Sequence, residues 1–250
     1  MKTIHNFSFT KSINSKILYP RNIIELKKNI KKKFTIVGNF RSYGDTAIGR
    51  YNHISLLNFK KIISFNKKKK LIEVEAGLLL SNLLKYTLKH NLVLSCMPGC
   101  KYVTIGGMIA NNISGKLIEK NKMKYFIQSL KLINHKGKLI ECSKNKNKKL
   151  FDLTIGGKGR TGPIISAVLN LSKINSDKFF EKNINFKNFL EFKKNLVFLK
   201  KYYYCVVWLD FTSNFFKGIF FFGNHLNKKK TNLSFNFQDI NLPNFLLLII

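Results

Sequence analysis

Acidic residues are scarce in this sequence. Its 250 residues include 12 Asp and Glu against 45 Lys and Arg, which gives a formal net charge of +33. Such an excess ordinarily indicates a nucleic acid or an anionic membrane surface as partner. The lysines, however, are scattered through nearly every segment, and a biased codon usage that also enriches Asn, Ile and Phe explains them at least as well. The charge therefore predicts attraction of anionic ligands and identifies none of them.

Cysteine is scarce as well. The sequence contains four cysteines, which are Cys96, Cys100, Cys142 and Cys205. They show neither the CxxC pairing of a redox or zinc site nor the density of a disulfide framework. We therefore expect thiols that are buried or idle, no metal site and a reducing compartment.

Long apolar runs are also missing. No apolar segment follows the basic start of the chain, and the run from Phe245 to Ile250 is too short to cross a bilayer. At 45% hydrophobic residues the chain can still bury a core, either in one large domain or in two small ones. We expect a cytoplasmic protein without a transmembrane segment, either free or peripheral to the membrane.

One loop is the most informative feature that the sequence does contain. Residues 38–45 read Gly-Asn-Phe-Arg-Ser-Tyr-Gly-Asp and follow a β-branched run, Phe34 to Val37. A turn of this kind can present consecutive backbone N–H groups to a phosphate. The same residue types also form ordinary surface turns, so the loop alone does not separate the two interpretations.

Two further glycine-rich stretches follow the first. Pro98 to Lys116 contains Thr-Ile-Gly-Gly at 104–107, where small residues allow close backbone approach and a helix could begin. Residues 154–162 form the third, and their glycines spell G-x-G-x-x-G. A Rossmann fingerprint follows a strand and opens a helix, whereas here a helix-like segment precedes and a β-branched one follows. A nicotinamide-binding fold is therefore disfavoured.

In this order and at these separations, the three stretches resemble the FAD-binding domain of the vanillyl-alcohol oxidase and p-cresol methylhydroxylase superfamily. The likeness runs from about Tyr19 to about Phe211 and is greatest to decaprenylphosphoryl-ribose oxidase-like FAD-linked oxidoreductases. It implies an α+β fold, with a two-subdomain FAD-binding domain of the p-cresol methylhydroxylase type in residues 1–175. An incomplete β-rich substrate domain is expected in residues 176–250, so the chain is interpreted as C-terminally truncated.

The resemblance also implies FAD as the cofactor and assigns residues to it. The residues expected to bind FAD are Gly38, Asn39, Phe40, Arg41, Ser42, Tyr43, Gly44, Asp45, Gly99, Thr104, Ile105, Gly106, Gly107, Asn111, Asn112, Ile113, Ser114 and Ile164. The loop at 38–45 and the turn at 104–107 are expected to bind the phosphates through main-chain amides, because hydrogen bonds to charged groups contribute about 1.5–3 kcal/mol each. The others are expected along the flavin.

Three side chains have more particular expectations. Arg41 occupies the position where several members of the superfamily attach a histidine to the flavin, so the resemblance implies noncovalent FAD. Trp208, in a Trp-x-Asp element, is expected to bind substrate, although a tryptophan in the core of a sheet fits the pattern equally. Tyr43 is expected near the flavin ring, or alternatively as a turn aromatic packed on the sheet. The catalytic base is not identified, because none of the five histidines lies in a matched motif.

Three positions depart from the family pattern. Phe40 stands where the loop usually has glycine, which adds bulk near the expected phosphates. Ser114 replaces a histidine, and Pro163 removes an N–H group that the usual residue would offer.

The function implied by the resemblance is oxidation of a secondary alcohol of a sugar or lipid-linked sugar phosphate, with hydride transfer to the flavin. A second hypothesis is a truncated or inactive flavin-binding fragment that needs its missing C-terminal half from a second polypeptide. A third is a basic nucleic-acid-binding module, which ranks last because no recognised motif accompanies the charge. We therefore expect a small-molecule or lipid-linked sugar substrate and no nucleic acid.

Hydrophobic periodicity predicts alternating helices and strands. Helices are expected at 20–30, 81–91 and 149–153. Strands are expected at 34–37, 53–57, 61–66, 71–77, 129–134, 138–143, 164–171, 202–211 and 218–222. Ser81 is the expected cap of the second helix, and residues 135–137 are expected to turn a β-hairpin.

Overall fold

The computed structural model of the chain describes residues 1–30, 33–49, 52–212 and 214–226. Their contacts divide them into two units. The first unit consists of Met1–Gly115 and Asn121–Lys173, and the second of Lys116–Lys120 with the described residues from Ile174 onward. Both contain helices and strands, as the sequence predicts. The FAD-binding and substrate domains expected at 1–175 and 176–250 stay predictions.

The first unit contains twelve strands and four α-helices among its described residues. Its strands are β1 Lys2–His5, β2 Ser12–Ser15, β3 Ile17–Leu18, β4 Phe34–Val37, β5 Asn52–Ser55, β6 Ile62–Asn66, β7 Leu71–Glu75, β8 Leu92–Val93, β9 Ile127–Ile133, β10 Leu139–Ser143, β11 Ile164–Asn170 and β12 Ser172–Lys173. Its helices are α1 Ile23–Asn29, α2 Leu80–Thr87, α3 Ile105–Ala110 and α4 Lys148–Thr154. Most of the predicted elements lie within a few residues of these bounds.

Two sheets form the frame of the first unit. The larger is antiparallel with the strand order β10-β9-β11-β7-β6, and Ile72, Val74 and Leu132 are fully buried in it. The smaller is parallel with the order β3-β5-β4, and α1 follows β3 in the chain. A core cluster unites Leu26 of α1 and Ile54 of β5, both 0% exposed, with residues of the larger sheet. The C-terminal end of β4, where the glycine loop begins, is thereby fixed in place.

Helix starts differ from two predictions. Asn22 caps α1 by accepting from the Glu25 N–H at 2.9 Å, so Pro20 lies before the helix instead of in its first turn. In α2 the capping position is Leu79, and Ser81 lies inside the first turn. The N–H groups of Leu80 and Ser81 donate to backbone carbonyls of Val103 and Lys101, both at 2.9 Å. A side-chain cap is unnecessary there because a neighbouring loop accepts from those amides.

The glycine signature near residue 160 lies in a non-Rossmann context. The helix α4 ends at Thr154 before it, and strand β11 begins at Ile164 after it. A Rossmann loop has the reverse order, strand first and helix second. The structure therefore confirms that this signature belongs to another fold.

The second unit is an antiparallel three-stranded sheet with one α-helix among its described residues. Its elements are β13 Phe179–Phe186, α5 Phe189–Asn195, β14 Tyr204–Leu209 and β15 Gly218–His225, with the strand order β13-β15-β14. Phe186, Phe220 and Phe222 are its buried core, and the rings of Phe220 and Phe222 stack at 5.2 Å. The aromatic composition of this region therefore builds its core.

In the described part of the chain, no helix combines the length and apolar character that crossing a membrane requires. The apolar run from Phe245 to Ile250 lies outside the described residues.

Candidate functional site

The first unit contains a cavity of about 460 Å³ with residues of all three glycine-rich stretches in its wall. Most of the residues expected to form a site line this cavity together. They are Gly38, Asn39, Phe40, Arg41, Ser42, Tyr43, Gly44, Gly99, Thr104, Gly106, Gly107, Asn111, Ile113 and Ile164. Gly38 and Ile164, which lie 126 positions apart in the sequence, thus line the same cavity.

Four of the expected residues have other contacts. Asp45 forms an ion pair with Lys11, and its carboxylate lies 3.1 Å from the Lys11 Nζ. Ile105, the first residue of α3, is fully buried, and the Asn112 Oδ1 accepts from the Lys124 N–H. Ser114 pairs with Lys122 in an isolated bridge. A fifth residue, Trp208, lies opposite Ile219 in β14 of the second unit and is half-buried there.

Several lining residues were not predicted. They are Ile36, Val37, Thr46, Ala47, Leu56, Ala76, Pro98, Cys100, Val103, Met108, Ala110, Lys158, Gly159 and Gly162. Most are apolar residues at strand ends or next to the glycine turns, and each taken singly is typical of a core. Lys158, Gly159 and Gly162 belong to the third glycine turn, which the sequence singled out without assigning it a contact.

Close backbone packing joins the first two glycine turns. A Cβ at Gly38 would overlap the Thr104 side chain, and one at Gly106 would lie 2.9 Å from the Ala76 Cβ. The Asn39 Nδ2 donates to the Tyr102 carbonyl at 2.9 Å, and the Ser55 Oγ donates to the Gly38 carbonyl at 3.1 Å. Glycine is therefore required where these segments touch.

The third glycine turn covers the end of α3. The N–H of Gly156 donates to the Ile109 carbonyl at 3.0 Å, and the N–H of Lys158 donates to the Ala110 carbonyl at 2.9 Å. Both donors have positive φ, +79° and +53°. The turn thus satisfies carbonyl groups that the end of a helix leaves without partners.

Three of the four amides in the turn at 104–107 already donate hydrogen bonds within the chain. The N–H groups of Ile105 and Gly106 donate to the carbonyls of Leu78 and Ala76, at 2.9 and 2.7 Å. The N–H of Gly107 donates to the Thr104 Oγ1 at 3.2 Å. Binding a phosphate through these three amides would break existing hydrogen bonds, so phosphate binding by this turn stays a prediction, while Gly106 also serves close packing against Ala76.

The loop at 39–44 differs in this respect. Among the described residues, no carbonyl or side chain accepts from the backbone N–H groups of residues 39–44. Phe40 in this loop has a φ of +50°, the left-handed conformation that glycine adopts readily. The loop thus keeps the course that a glycine would give it, and its unpaired amides lie in segments that line the cavity.

The charges of the cavity wall are positive. Arg41 and Lys158 line it, and no Asp or Glu of the described chain does. The Arg41 guanidinium lies 5.2 Å from the centre of the Phe7 ring and 6.0 Å from that of Tyr102. Asp45 next to the loop is exposed, and its hydrogen bond from Lys11 lowers its pKa. Unpaired amides and cations together can hold an anionic group.

Tyr43 lies in the wall of the cavity and against the N-terminal turn. It lines the cavity, is 45% exposed, and contacts the Phe7 ring edge-on at 5.2 Å. Burial, followed by the nearby Cys100, raises its pKa above the ordinary tyrosine value. Tyr43 is therefore a neutral side chain at physiological pH, and it packs on the N-terminal turn instead of on a sheet.

All four cysteines are free thiols. Burial raises the pKa of Cys96 to about 12 and that of Cys142 and Cys205 to about 11. These three thiols stay protonated at neutral pH and behave as small apolar side chains. Cys100 differs from them because it lines the cavity.

About half of the chain is similar in sequence to a known protein family. Residues 21–143 match the sequence family described as FAD binding domain. The chain is 29% identical over 149 residues to the L-gulonolactone oxidase of Mus musculus, which covers 60% of this chain and 34% of that protein. It is 32% identical over 135 residues to the decaprenylphosphoryl-beta-D-ribose oxidase of Mycolicibacterium smegmatis, covering 53% of this chain and 29% of that protein.

A third relative is more distant. The cytokinin dehydrogenase 1 of Arabidopsis thaliana is 25% identical over 169 residues, which is 62% of this chain and 29% of that protein. The matched part of the chain thus spans about a third of the length of these curated relatives.

Proposed function

We propose that this chain, whose residues 21–143 match the FAD binding domain family, is an FAD-dependent oxidoreductase acting on a secondary alcohol of a sugar or lipid-linked sugar phosphate. The observation that carries the proposal is the cavity of the first unit, which three glycine-rich stretches wall together. The L-gulonolactone oxidase and decaprenylphosphoryl-beta-D-ribose oxidase among the relatives support a sugar-like substrate.

The pyrophosphate of FAD is assigned to the loop at 39–44. Its unpaired N–H groups satisfy phosphate oxygens without losing existing hydrogen bonds. Each such bond to a charged group contributes about 1.5–3 kcal/mol, whereas an exposed lysine contributes about 0–1 kcal/mol. Arg41 and Lys158 supply positive charge to the same wall. The fit is therefore good for a dianion and poor for a cationic ligand.

The flavin ring is assigned to the apolar part of the wall. Ala76, Met108, Ile113 and Ile164 line the cavity and offer no charge to a planar ring. Arg41 cannot form the covalent bond that a histidine would make, so FAD is held without a covalent link. When bound, FAD supplies the acceptor for a hydride from the substrate carbon. The chain contributes positioning and the exclusion of water.

The experiment for the cofactor uses the purified chain. FAD is added, the excess is removed by gel filtration, and the visible absorption spectrum is recorded. We expect a retained yellow chromophore that acid precipitation releases into the supernatant, as a noncovalent flavin requires. A protein that stays colourless contradicts the proposal.

The substrate domain is a separate part of the proposal. We assign the FAD-binding domain to residues 1–175 and a β-rich substrate domain to 176–250, with Trp208 at the substrate. Trp208→Phe is expected to raise the KM for the substrate while FAD binding stays unchanged. Ile219→Val, at the cross-strand neighbour of Trp208, is the matched control and should change neither quantity. Equal effects of both variants would indicate a packing role only.

A second candidate is a flavin-binding protein without turnover of its own. The residues matched to the relatives cover about a third of those proteins' length. Anaerobic addition of a sugar lactone or a polyprenylphosphoryl sugar to the FAD-loaded chain separates the candidates, because oxidation of the alcohol bleaches the flavin. Turnover that requires a second polypeptide would appear as bleaching only after that polypeptide is added.

A lipid-linked substrate would also require contact with a membrane surface. We propose that the net charge of +33 brings the chain to anionic lipids. Cosedimentation with vesicles of phosphatidylserine and phosphatidylcholine, compared with phosphatidylcholine alone, tests this. Binding to the anionic vesicles should weaken as the salt concentration rises from about 0.05 M to about 0.5 M, because salt shortens the Debye length and screens the charges. Equal binding to both vesicles argues against it.

A further inference from the structure

We infer that the turn at residues 6–11 orients the anion-binding loop, and that Ser8 and Asn6 are positioning residues for it. The inference rests on the proposed function, because it concerns how the loop at 39–44 is prepared for a phosphate. The turn connects β1 and β2, a part of the chain that precedes every matched motif.

Three hydrogen bonds join the turn to the carbonyl groups of the loop. The Phe7 N–H donates to the Ser42 carbonyl at 2.9 Å. The Tyr43 carbonyl accepts twice, from the Asn6 Nδ2 at 3.0 Å and from the Ser8 Oγ at 2.7 Å. Both carbonyl groups of this stretch therefore face the turn.

Peptide planarity transmits this constraint to the amides. In a trans peptide the carbonyl of one residue and the N–H of the next point in opposite directions. Holding the Ser42 and Tyr43 carbonyls on the turn therefore directs the N–H groups of Tyr43 and Gly44 away from it. Tyr43 and Gly44 both line the cavity, and neither N–H has an acceptor among the described residues. The turn thus keeps carbonyl oxygens from facing an anion.

Further contacts hold the loop on both sides of these carbonyls. The Phe7 ring lies against the Arg41 guanidinium and the Tyr43 ring, at 5.2 Å from each. Lys11 forms its ion pair with Asp45 at 3.1 Å. A single turn therefore contacts the loop at Arg41, Ser42, Tyr43 and Asp45.

Asn6 fixes the turn itself. It is 3% exposed, and its Oδ1 accepts from the Lys11 N–H at 3.2 Å while its Nδ2 also donates to the Thr10 Oγ1 at 2.9 Å. Its backbone N–H donates to the Lys11 carbonyl at 3.1 Å. At the other end of the hairpin, the buried Ser15 Oγ lies 2.8 Å from the His53 Nδ1. These hydrogen bonds therefore order the turn.

We expect the turn to affect the affinity only for ligands that carry phosphate. Ordering two peptide groups before the ligand arrives removes that ordering cost from binding. A ligand without phosphate does not use these amides, so its affinity should not depend on the turn. FAD and ADP contain the pyrophosphate, whereas riboflavin contains the ring alone.

The test compares variants of the full chain that differ in one hydrogen bond. Ser8→Ala removes the hydroxyl that donates to the Tyr43 carbonyl, and Ser8→Thr keeps a hydroxyl there. Thr3→Ala is the matched control, because it removes an exposed hydroxyl of the same hairpin that bonds to Asn14 and not to the loop. Asn6→Asp keeps the acceptor for Lys11 and replaces the donor to Tyr43 with an oxygen.

Affinities for FAD, ADP and riboflavin are measured by titration calorimetry, together with the melting temperature. Ser8→Ala should weaken FAD and ADP by about three- to tenfold, the effect of one hydrogen bond, and leave riboflavin unchanged. Ser8→Thr should restore most of the affinity, Thr3→Ala should match the wild type, and Asn6→Asp should lose more than Ser8→Ala. In amide NMR spectra, ADP should shift the Tyr43 and Gly44 resonances of the wild type more than those of Ser8→Ala.

Three outcomes overturn the inference. If the wild type binds FAD, and Ser8→Ala binds ADP as tightly as the wild type does, the turn has no positioning role while the proposed function stands. If riboflavin affinity falls by the same factor as ADP affinity, the effect is one of general stability. If the wild type binds neither FAD nor ADP, the proposed function fails and the inference fails with it.

Discussion

Phe40 shows how single residues shape the site. Its φ of +50° is a conformation that disfavours side chains, at a cost of about 1–2 kcal/mol for a residue other than glycine. Its ring lies 6.0 Å from the His53 ring, a contact that offsets part of this cost. The loop therefore keeps a glycine-like course without glycine, and its strain lies beside the unpaired amides.

Two substitutions of Phe40 separate strain from packing. Both Phe40→Gly and Phe40→Ala remove the ring, but only the glycine variant also relieves the left-handed conformation. We expect Phe40→Gly to be more stable than Phe40→Ala by about 1 kcal/mol in urea denaturation, the reverse of the usual order for these residues. An alanine variant at least as stable as the glycine variant would show that the loop carries no strain.

Gly38 and Gly44 lie in the same loop and differ in their surroundings. A Cβ at Gly38 would overlap the Thr104 side chain, whereas one at Gly44 meets no atom within 4 Å. Gly38→Ala should therefore lower the free energy of unfolding by about 1–3 kcal/mol, as overpacking does. Gly44→Ala is the control and should change it by less than about 0.5 kcal/mol. Thermal denaturation followed by circular dichroism measures both, and equal losses would contradict the packing argument.

The sequence indicated which residues line the cavity better than it indicated their hydrogen bonds. Glycine turns can be identified because few residue types tolerate close approach, which is how Gly38 and Gly106 were found. Whether an amide is free depends on partners far away in the chain. The carbonyls of Ala76 and Leu78 occupy the amides of the second turn, and no local pattern indicates that.

At the scale of elements, periodicity was a good guide where one face is buried. β7 alternates between buried and half-buried residues, and the hairpin of β9 and β10 turns at residues 135–137 as predicted. β13 was missed because only Phe186 of its eight residues is buried, so it pairs with β15 without a hydrophobic pattern. The β1–β2 hairpin was missed for the same reason, and with it the turn whose Ser8 reaches a residue 35 positions away.

His53, which joins β5 to Ser15 of β2, predicts that the stability of the chain depends on pH. His53 is fully buried, its Nε2 accepts from the Gly49 N–H at 3.3 Å, and its Nδ1 therefore donates to Ser15. Burial lowers its pKa below the ordinary value of 6.5. A lowered histidine pKa means that the unfolded chain binds the proton more readily, so this contribution to stability is present above pH 6.5 and is lost as pH falls through the folded-state pKa.

We therefore expect the free energy of unfolding to decrease when the pH falls from about 7 to about 5. His53→Gln should reduce the slope. Some slope should remain, because burial also lowers the pKa of His225 in the second unit. His135→Gln, in the exposed hairpin turn, is the control and should leave the slope unchanged. A wild-type slope retained by His53→Gln would show that other groups cause it.

For the whole molecule, we expect the net charge of +33 to lower the stability of the fold at low salt concentration. Like charges repel more strongly in the folded state, and salt shortens their range from about 30 Å at 0.01 M to about 10 Å at 0.1 M. We expect the melting temperature to rise over this interval of sodium chloride. Sodium sulfate at equal ionic strength should give a similar rise if screening is the cause. A melting temperature that is independent of salt would indicate that the charges lie too far apart to interact.

The chain passes between the two units more than once. Lys116–Lys120 lies within the sequence of the first unit and belongs to the second, where Leu117 bridges to Tyr204 and the Ile118 N–H donates to the Tyr203 carbonyl. No single cut can therefore release either unit intact. A polypeptide that ends near residue 175 would lack Tyr204, the bridge partner of Leu117, and the Leu117 side chain, which is 5% exposed in the full chain, would become exposed to water. Producing the first unit alone therefore requires that Lys116–Lys120 be redesigned or removed.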